Sequence, residues 1–402
     1  MPQPRLPVGL FAVIVVIGLL PPPSAEARVK LITLPVRERV EVRLDHDNAT
    51  LVEEERVVPL VAGVNQVDFS WANTQIDPST IVFRVLPPEA ENQPQVSVLS
   101  VTYPPGENAL VWQVSSDRSA SVTVRISYLL GGLTKGFNYR ALVEHDESTL
   151  TLSQYVRVRN FAGEAYGDTE IFAGFGEAFL KPIGVNETKQ MLVRRVAGVP
   201  VVKTYTADVY RFGWLDQSQY KLRVPMHYRL ENTSAAGLGD SALPTGKVRI
   251  FQRDASGPNA TTAFLGEDIA QHTPVGNHAD LFLGVAQDVV VKRTVEARRD
   301  ERVAGNLFHR RVTLKYEIEN FKDQLVTLRL AEQVERLRQE LGWATGQPAE
   351  WEVGDATTFG TAPVADETTQ DCVMFAVDLP ARDGDEAQIV THMLEIVFRN
   401  QW

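Results

Sequence analysis

In SVTVRISY, residues 121–128, the apolar Val122, Val124, Ile126 and Tyr128 share one parity, while Thr123, Arg125 and Ser127 share the other. A period of two is the period of a strand with one buried face, and a chain built from such runs can bury its apolar side chains only between sheets. The same alternation returns at Val312, Leu314, Tyr316 and Ile318 against Thr313, Lys315, Glu317 and Glu319. It resumes at Val326, Leu328 and Leu330, so residues 312–330 read as two neighbouring strands. Further runs occupy residues 40–44, 150–158 and 247–251. Turn-forming clusters such as YPPGEN at 103–108, AAGLGD at 235–240 and ARDGDE at 381–386 separate them. The expected fold is therefore all-β: two or three antiparallel, Ig-like β-sandwich units in tandem, with at most one or two short helices. Only LAEQVERLRQELGW, residues 330–343, has helical spacing, through Val334, Leu337 and Leu341. A boundary is expected near residue 128, with a further division of residues 129–402 near residue 299.

Residues 1–27 follow a different pattern. Arg5 precedes an uncharged apolar run at residues 8–20, and three prolines lead into Ala25-Glu26-Ala27. This reads as a secretory signal cut after Ala27, and it implies a periplasmic or cell-surface protein. The alternative is an uncleaved membrane anchor, for which the run is short against the ~20 residues that span a bilayer. Cleavage would leave the net charge at -11, which disfavours nucleic acid as a partner. Cys372 is the only cysteine, so an exported chain has no internal disulfide and must hold by packing. In DCVMFAVDL both parities are apolar around Cys372, as in a strand covered on both faces, which favours a structural cysteine over a nucleophile.

Motifs that could carry chemistry are scarce. LPTGK at 243–247 has Ser241 and Val248 where a phosphate-binding loop needs Gly and Ser or Thr, so it reads as a turn into a strand. GFGEAF at 174–179 lacks the third glycine of a dinucleotide fingerprint. DHDNAT at 45–50 fails as a calcium loop at Ala49 and Arg56. Four Asn-X-Ser/Thr sequences begin at residues 48, 186, 232 and 259, and they matter only in a eukaryotic secretory route. His272 and His278 lie in one loop, FLGEDIAQHTPVGNHADLFLG, and are weak metal candidates. Pro274 and Gly276 explain that loop as a tight turn, and zinc needs further ligands. Residues 205–228 concentrate aromatic side chains; Tyr205, Tyr210, Phe212, Trp214 and Tyr220 form a candidate binding surface for sugar or peptide, set against the plainer reading of core residues.

The order of several segments is similar to that of an exported bacterial family, the one carrying the domain of unknown function numbered 4139 and related to the mucoidy-inhibitor proteins. The resembling pieces are VRVRNFAGEAYGDTEIFAG at 156–174, LPTGKVRIF at 243–251, FLGED at 264–268, HTPVG at 272–276, LFLG at 281–284, DVVVKR at 288–293 and YEIENFKDQLVTLRL at 316–330. Longer members carry a coiled-coil insertion that this chain lacks, and members usually have a Trp near the place of Ala165 or Tyr166, which is replaced here. The resemblance implies a β-rich envelope protein; it carries over no reaction, cofactor or catalytic residue.

Two functional expectations follow. The first is a non-catalytic binding or assembly module whose partner is an envelope protein, an envelope polymer or a second copy of itself, with no cofactor and no catalytic residue. The alternative is a hydrolase of envelope carbohydrate or peptide that uses carboxylates dispersed over several strands.

Overall fold

The computed structural model describes residues 30–46, 49–87, 94–174, 178–255, 257, 260–344 and 348–401. The expected signal segment lies outside them, as do residues 175–177 of GFGEAF and the sequon asparagines at 48 and 259. Among the described residues no helix is long and apolar enough to cross a membrane. The protein is all-β, as the alternation implies, and its described residues form two compact units: those up to 41 with 51–130, and 42–50 with those from 131 onward.

The first unit contains β1 (Lys30–Thr33), the first three residues of β2 (Arg39–Arg43), β3 (Thr50–Leu60) from Leu51 onward, β4 (Gly63–Ser70), β5 (Val82–Val85), β6 (Val96–Thr102), β7 (Ala109–Ser116) and β8 (Ala120–Leu130). One sheet runs β1-β4-β7-β6, and in another β2, β3, β8 and β5 lie side by side in that order. The expected residues Val122, Val124, Ile126 and Tyr128 all point into the core, where Phe69 packs 5.8 Å from Trp112 and 5.9 Å from Tyr128. Glu54 shares the buried parity of β3 and is fully enclosed, with the Arg56 Nε 3.0 Å away and Arg37 on its other oxygen.

In the second unit the chain runs through β9 (Leu133–Val143), β10 (Thr149–Asn160), β11 (Glu170–Phe172), β12 (Phe179–Leu180), β13 (Thr188–Pro200) and β14 (Val202–Asp208). A single helical turn, α1 (Val209–Phe212), leads to β15 (Trp214–Asp216), β16 (Lys221–Leu222), β17 (Pro225–Glu231), β18 (Gly246–Arg253), β19 (Thr262–Ala270) and β20 (His278–Val285). The remainder is β21 (Val289–Ala304), β22 (Leu307–Asn320), β23 (Val326–Gln333), α2 (Val334–Glu340), β24 (Trp351–Val353), β25 (Cys372–Leu379) and β26 (Gln388–Gln401).

Three sheets enclose two cores. The middle sheet, β20-β17-β14-β23-β25, serves both. Tyr228, Leu230 and Leu281 on its β17 and β20 meet Leu152, Val248 and Ile250 of the sheet β13-β10-β9-β18-β19. Leu328, Leu330 and Phe375 on β23 and β25 meet Val291, Leu314 and Ile396 of the sheet β15-β16-β21-β22-β26-β24.

Several expectations change here. β22 and β23 exist, but they are not neighbours in one sheet: β21 and β26 occupy both edges of β22, and β23 lies across the core in the middle sheet. Residue 299 sits inside β21, which pairs continuously with β22 except at two bulges, and strands from both sides of it fill the second core. Not every ladder is antiparallel, since β1 runs parallel to β4, β18 to β9 and β14 to β23. Consecutive strands often change sheet, so the chain can re-enter a sheet from the same end. The helix shrinks to α2 because residues 330–333 are held in β23 by pairing with Cys372 to Phe375. β25 is covered on one face only; Val373, Phe375, Val377 and Leu379 are buried, whereas Cys372 and Met374 are half-buried and Ala376 is exposed.

One device recurs three times. Asn160 and Asn320 end β10 and β22, Asn232 directly follows β17, and all three are fully buried. The Asn160 amide donates to the carbonyls of Glu164 at 2.7 Å and Gly184 at 3.0 Å, and its oxygen accepts from the Ala162 N–H at 3.1 Å. Asn232 donates to Ser241 and Thr273 and accepts from Gly239; Asn320 donates to Gln324 and Pro380 and accepts from Lys322. Each strand then pairs with one that returns after a long excursion: β10 with β13, β17 with β20, and β22 with β26. An asparagine suits this place because it offers two donors and an acceptor without a charge. HTPVG is the second of these closures, with the Asn232 backbone N–H donating to Asn277 and the Gly276 N–H, at φ 84°, donating back to Asn232. The Asn-Thr-Ser sequence at 232 is therefore closed to glycosylation by burial.

Candidate functional site

The aromatic segment is shaped by its turns. Asp208 ends β14 and caps α1, its carboxylate accepting from the N–H groups of Tyr210 and Arg211 at 3.0 Å each, while Gln333 donates to its other oxygen at 2.8 Å. Gly213, at φ 70°, stops the helix after one turn. β15 and β16 then form a hairpin whose loop is held by Asp216 accepting from Ser218, with Tyr220 in the left-handed region at φ 52°. These turns bring Tyr210, Trp214 and Tyr220 around a cavity of about 460 Å³, with Gln217 and Glu340 completing its wall. Trp214 and Tyr220 meet edge to face, with centroids 5.7 Å apart.

Beneath this cavity lies an ionic base. Arg293, 2% exposed, makes a two-pronged contact with Glu332, 0% exposed, at 2.9 Å on each arm. The same guanidinium reaches Glu340 at 3.0 and 3.1 Å, and Tyr316 donates to Glu332 at 2.5 Å. The Tyr210 hydroxyl donates to Glu340 and accepts from Arg293 at 3.3 Å. Burial works against ionisation of Glu340, but the Arg293 and Tyr210 hydrogen bonds and the Arg293 charge outweigh it and hold that carboxyl below its usual range. The cavity thus presents one ionised carboxylate, a primary amide and three aromatic rings.

The structure separates the five aromatic candidates. Tyr210, Trp214 and Tyr220 share the cavity. Tyr205 is 3% exposed and belongs to the second core, so the plainer reading holds for it. Phe212 faces the other way, into a second cavity of about 360 Å³ that also contains His227, Phe282 and three arginines. The two histidines, His272 and His278, lie in different surroundings. His272 lines a third cavity with Lys135 and Thr245, and the His278 Nε2 stands 3.8 Å from Asp280. Among the described residues no three His, Cys, Asp or Glu side chains gather as a metal site. Burial and the charges of Asp208, Glu332 and Asp371 push the Cys372 thiol up to about 11, so it is protonated at neutral pH.

Arg293, Glu332, Glu340 and Gln217 were not singled out by sequence. Two carried a signal: Arg293 shares the parity of Val289 and Val291, and Glu332 that of Leu328 and Leu330. A charge on the apolar parity of a strand must find a buried partner.

In the second cavity His227 lies between Phe212, 6.5 Å away, and Phe282, 5.6 Å away. Burial lowers its pKa below 6.5; Arg211 and Arg229 act in the same direction, and Asp280 and Asp268 against it. The unfolded chain therefore binds this proton more readily than the folded one. The contribution of neutral His227 is complete above about pH 6.5 and is lost as pH falls through the depressed folded value. Urea unfolding between pH 5 and pH 8 should show a smaller acid-side loss for His227→Gln than for the wild type; identical slopes would remove this residue from the account. When the chain is compared with known proteins, no protein-family model matches it and no curated protein does either.

Proposed function

We propose that this chain is an exported envelope protein of the 4139-domain type that binds a carbohydrate polymer without transforming it, and that Tyr210, Trp214 and Tyr220 form its ligand site. The observation that carries the reading is the half-open aromatic cavity seated on a rigid ionic base. Aromatic faces cover the apolar side of a sugar ring, while Gln217 and the ionised Glu340 offer an amide and an acceptor for hydroxyls. Export rests on the pattern of residues 1–27, and the family rests on the segments that resemble it.

The hydrolase alternative has less support. A glycosidase needs one carboxyl kept protonated at neutral pH and a second within reach of the substrate. Here Glu340 is held in its ionised form, and Glu332 is sealed beneath Arg293.

Purified mature protein is expected to co-sediment with an insoluble envelope polysaccharide or wall fraction. Trp214→Ala should lose about 2 kcal/mol of binding or more, roughly thirtyfold in Kd. Retention of full binding by that variant, or no binding to any such fraction, defeats the proposal. Turnover of the polymer abolished by Glu340→Gln would favour the hydrolase instead.

A further inference from the structure

The cavity on the other side of α1 supports a separate assignment. Its floor is the face of the middle sheet that turns away from the cores, where Arg229, Arg329 and His227 stand side by side. Arg229 is matched: its Nε and Nη2 bind Asp280 at 2.7 and 2.9 Å, and its Nη1 reaches Glu367 at 3.2 Å. Arg329 turns to the same Glu367, so one carboxylate serves two guanidiniums. Asp268 is spent on backbone, accepting from the N–H groups of Ile269 at 2.7 Å and Phe282 at 2.9 Å. That leaves Arg211. Among the described residues no carboxylate pairs with its guanidinium, which lies 5.0 Å from the Phe212 ring centroid at the cavity wall. Burial and the neighbouring Arg229 push the Arg329 guanidinium below its ordinary range, against the opposing charge of Asp280.

Arg211 is exposed at the rim, so its guanidinium is accessible to a ligand that enters the cavity. We propose that this cavity binds a small organic anion, a carboxylate or phosphate borne on a ring, with the anionic group on Arg211 and the ring against Phe212, His227 and Phe282. Guanidinium groups bind both oxyanions in two-pronged fashion, and the three rings form an aromatic wall of the size of one sugar or aryl ring. A volume of about 360 Å³ accommodates such a ligand. The net charge of -11 opposes the approach of anions, so recognition comes from these short contacts rather than from long-range attraction. This assignment stands independently of the Trp214 cavity.

The test is titration of the mature protein with three ligands that share one ring: glucuronate, glucose 6-phosphate and glucose. At least one of the two anions should bind ten times or more tightly than glucose, and which one does so identifies the oxyanion. Arg211→Ala, an exposed substitution that should leave the circular dichroism spectrum unchanged, should abolish the preference for the anion. Arg211→Lys should restore part of it, and Trp214→Ala should leave it intact. Equal binding of all three ligands, binding of none, or an anion preference that survives Arg211→Ala overturns the proposal. A preference lost in Trp214→Ala but kept in Arg211→Ala also overturns it, by moving the anion to the other cavity.

Discussion

Replacing Arg293 with methionine is expected to lower the unfolding free energy of the second unit by about 3–5 kcal/mol, the usual consequence of leaving a buried charge alone. Glu332 is 0% exposed, and among the described residues Arg293 and the Tyr316 hydroxyl are its side-chain hydrogen-bond partners. Without the guanidinium, a carboxylate in an apolar core must either take up a proton or open the structure to water. Burial and the Glu332 charge hold the Tyr316 hydroxyl well above its ordinary range, so it remains a neutral donor and offers no charge in exchange. The loss should exceed that from any exposed ion pair of this chain, such as Lys247 with Glu267, for which about 0–1 kcal/mol is typical. Removing both charges, as Arg293→Met with Glu332→Leu, should recover most of the loss, because an apolar pair of similar volume no longer has a charge to solvate. Denaturant unfolding followed by tryptophan fluorescence reads both variants. A single-variant loss below about 1 kcal/mol would mean that water already reaches the pair. The same substitution should weaken ligand binding at the Tyr210 cavity, since Glu340 loses the partner that orients it.

The second large effect is expected at Asn320. Alanine there removes two donors and an acceptor from partly buried backbone groups near the end of β22, the carbonyls of Gln324 and Pro380 and the N–H of Lys322. Each group left unsatisfied costs about 1–3 kcal/mol, so a total loss of about 3 kcal/mol is expected. Asn320→Asp should be at least as damaging at neutral pH, because a carboxylate cannot donate to carbonyls and brings a buried charge. Equivalent losses are expected for Asn160→Ala and Asn232→Ala, which close the other two excursions with the same three contacts. Denaturant titration of the alanine and aspartate variants at each of the three places decides the matter; an aspartate tolerated at any of them would sink this account of it.

How far each feature was legible follows from how local its physical cause is. The strands at residues 122–128 and 312–318 were readable because burying one sheet face imposes a period of two on the residues themselves. Their neighbours were not readable, since parity states which face is covered and says nothing about which strand lies alongside. That is why β22 and β23 looked adjacent and proved to lie in different sheets. The helix at 334–340 was visible through Val334, Leu337 and Leu341, but its start depended on a strand partner, β25, about forty residues away. The aromatic segment drew attention by composition alone. Which of its rings meet depended on the Asp208 cap, the Gly213 stop and the Tyr220 turn, each of which rotates the side chains that follow it. Glu340 gave no local sign at all, because its role comes from Arg293, a residue on β21.

By itself, the sequence determined that this chain must be a set of β-sheets with apolar interiors, that no disulfide staples them, and that its loops carry turns rather than recognised catalytic motifs. Those conclusions depend on residue type and spacing over a few positions, and short-range sterics and the transfer of apolar area from water are enough to set them. The tertiary structure alone decided that one middle sheet serves two cores, that three asparagines close three excursions alike, and that Tyr210, Trp214 and Tyr220 meet above Arg293. These depend on contacts between residues tens of positions apart, whose free energy is gained only once the intervening chain has already been ordered.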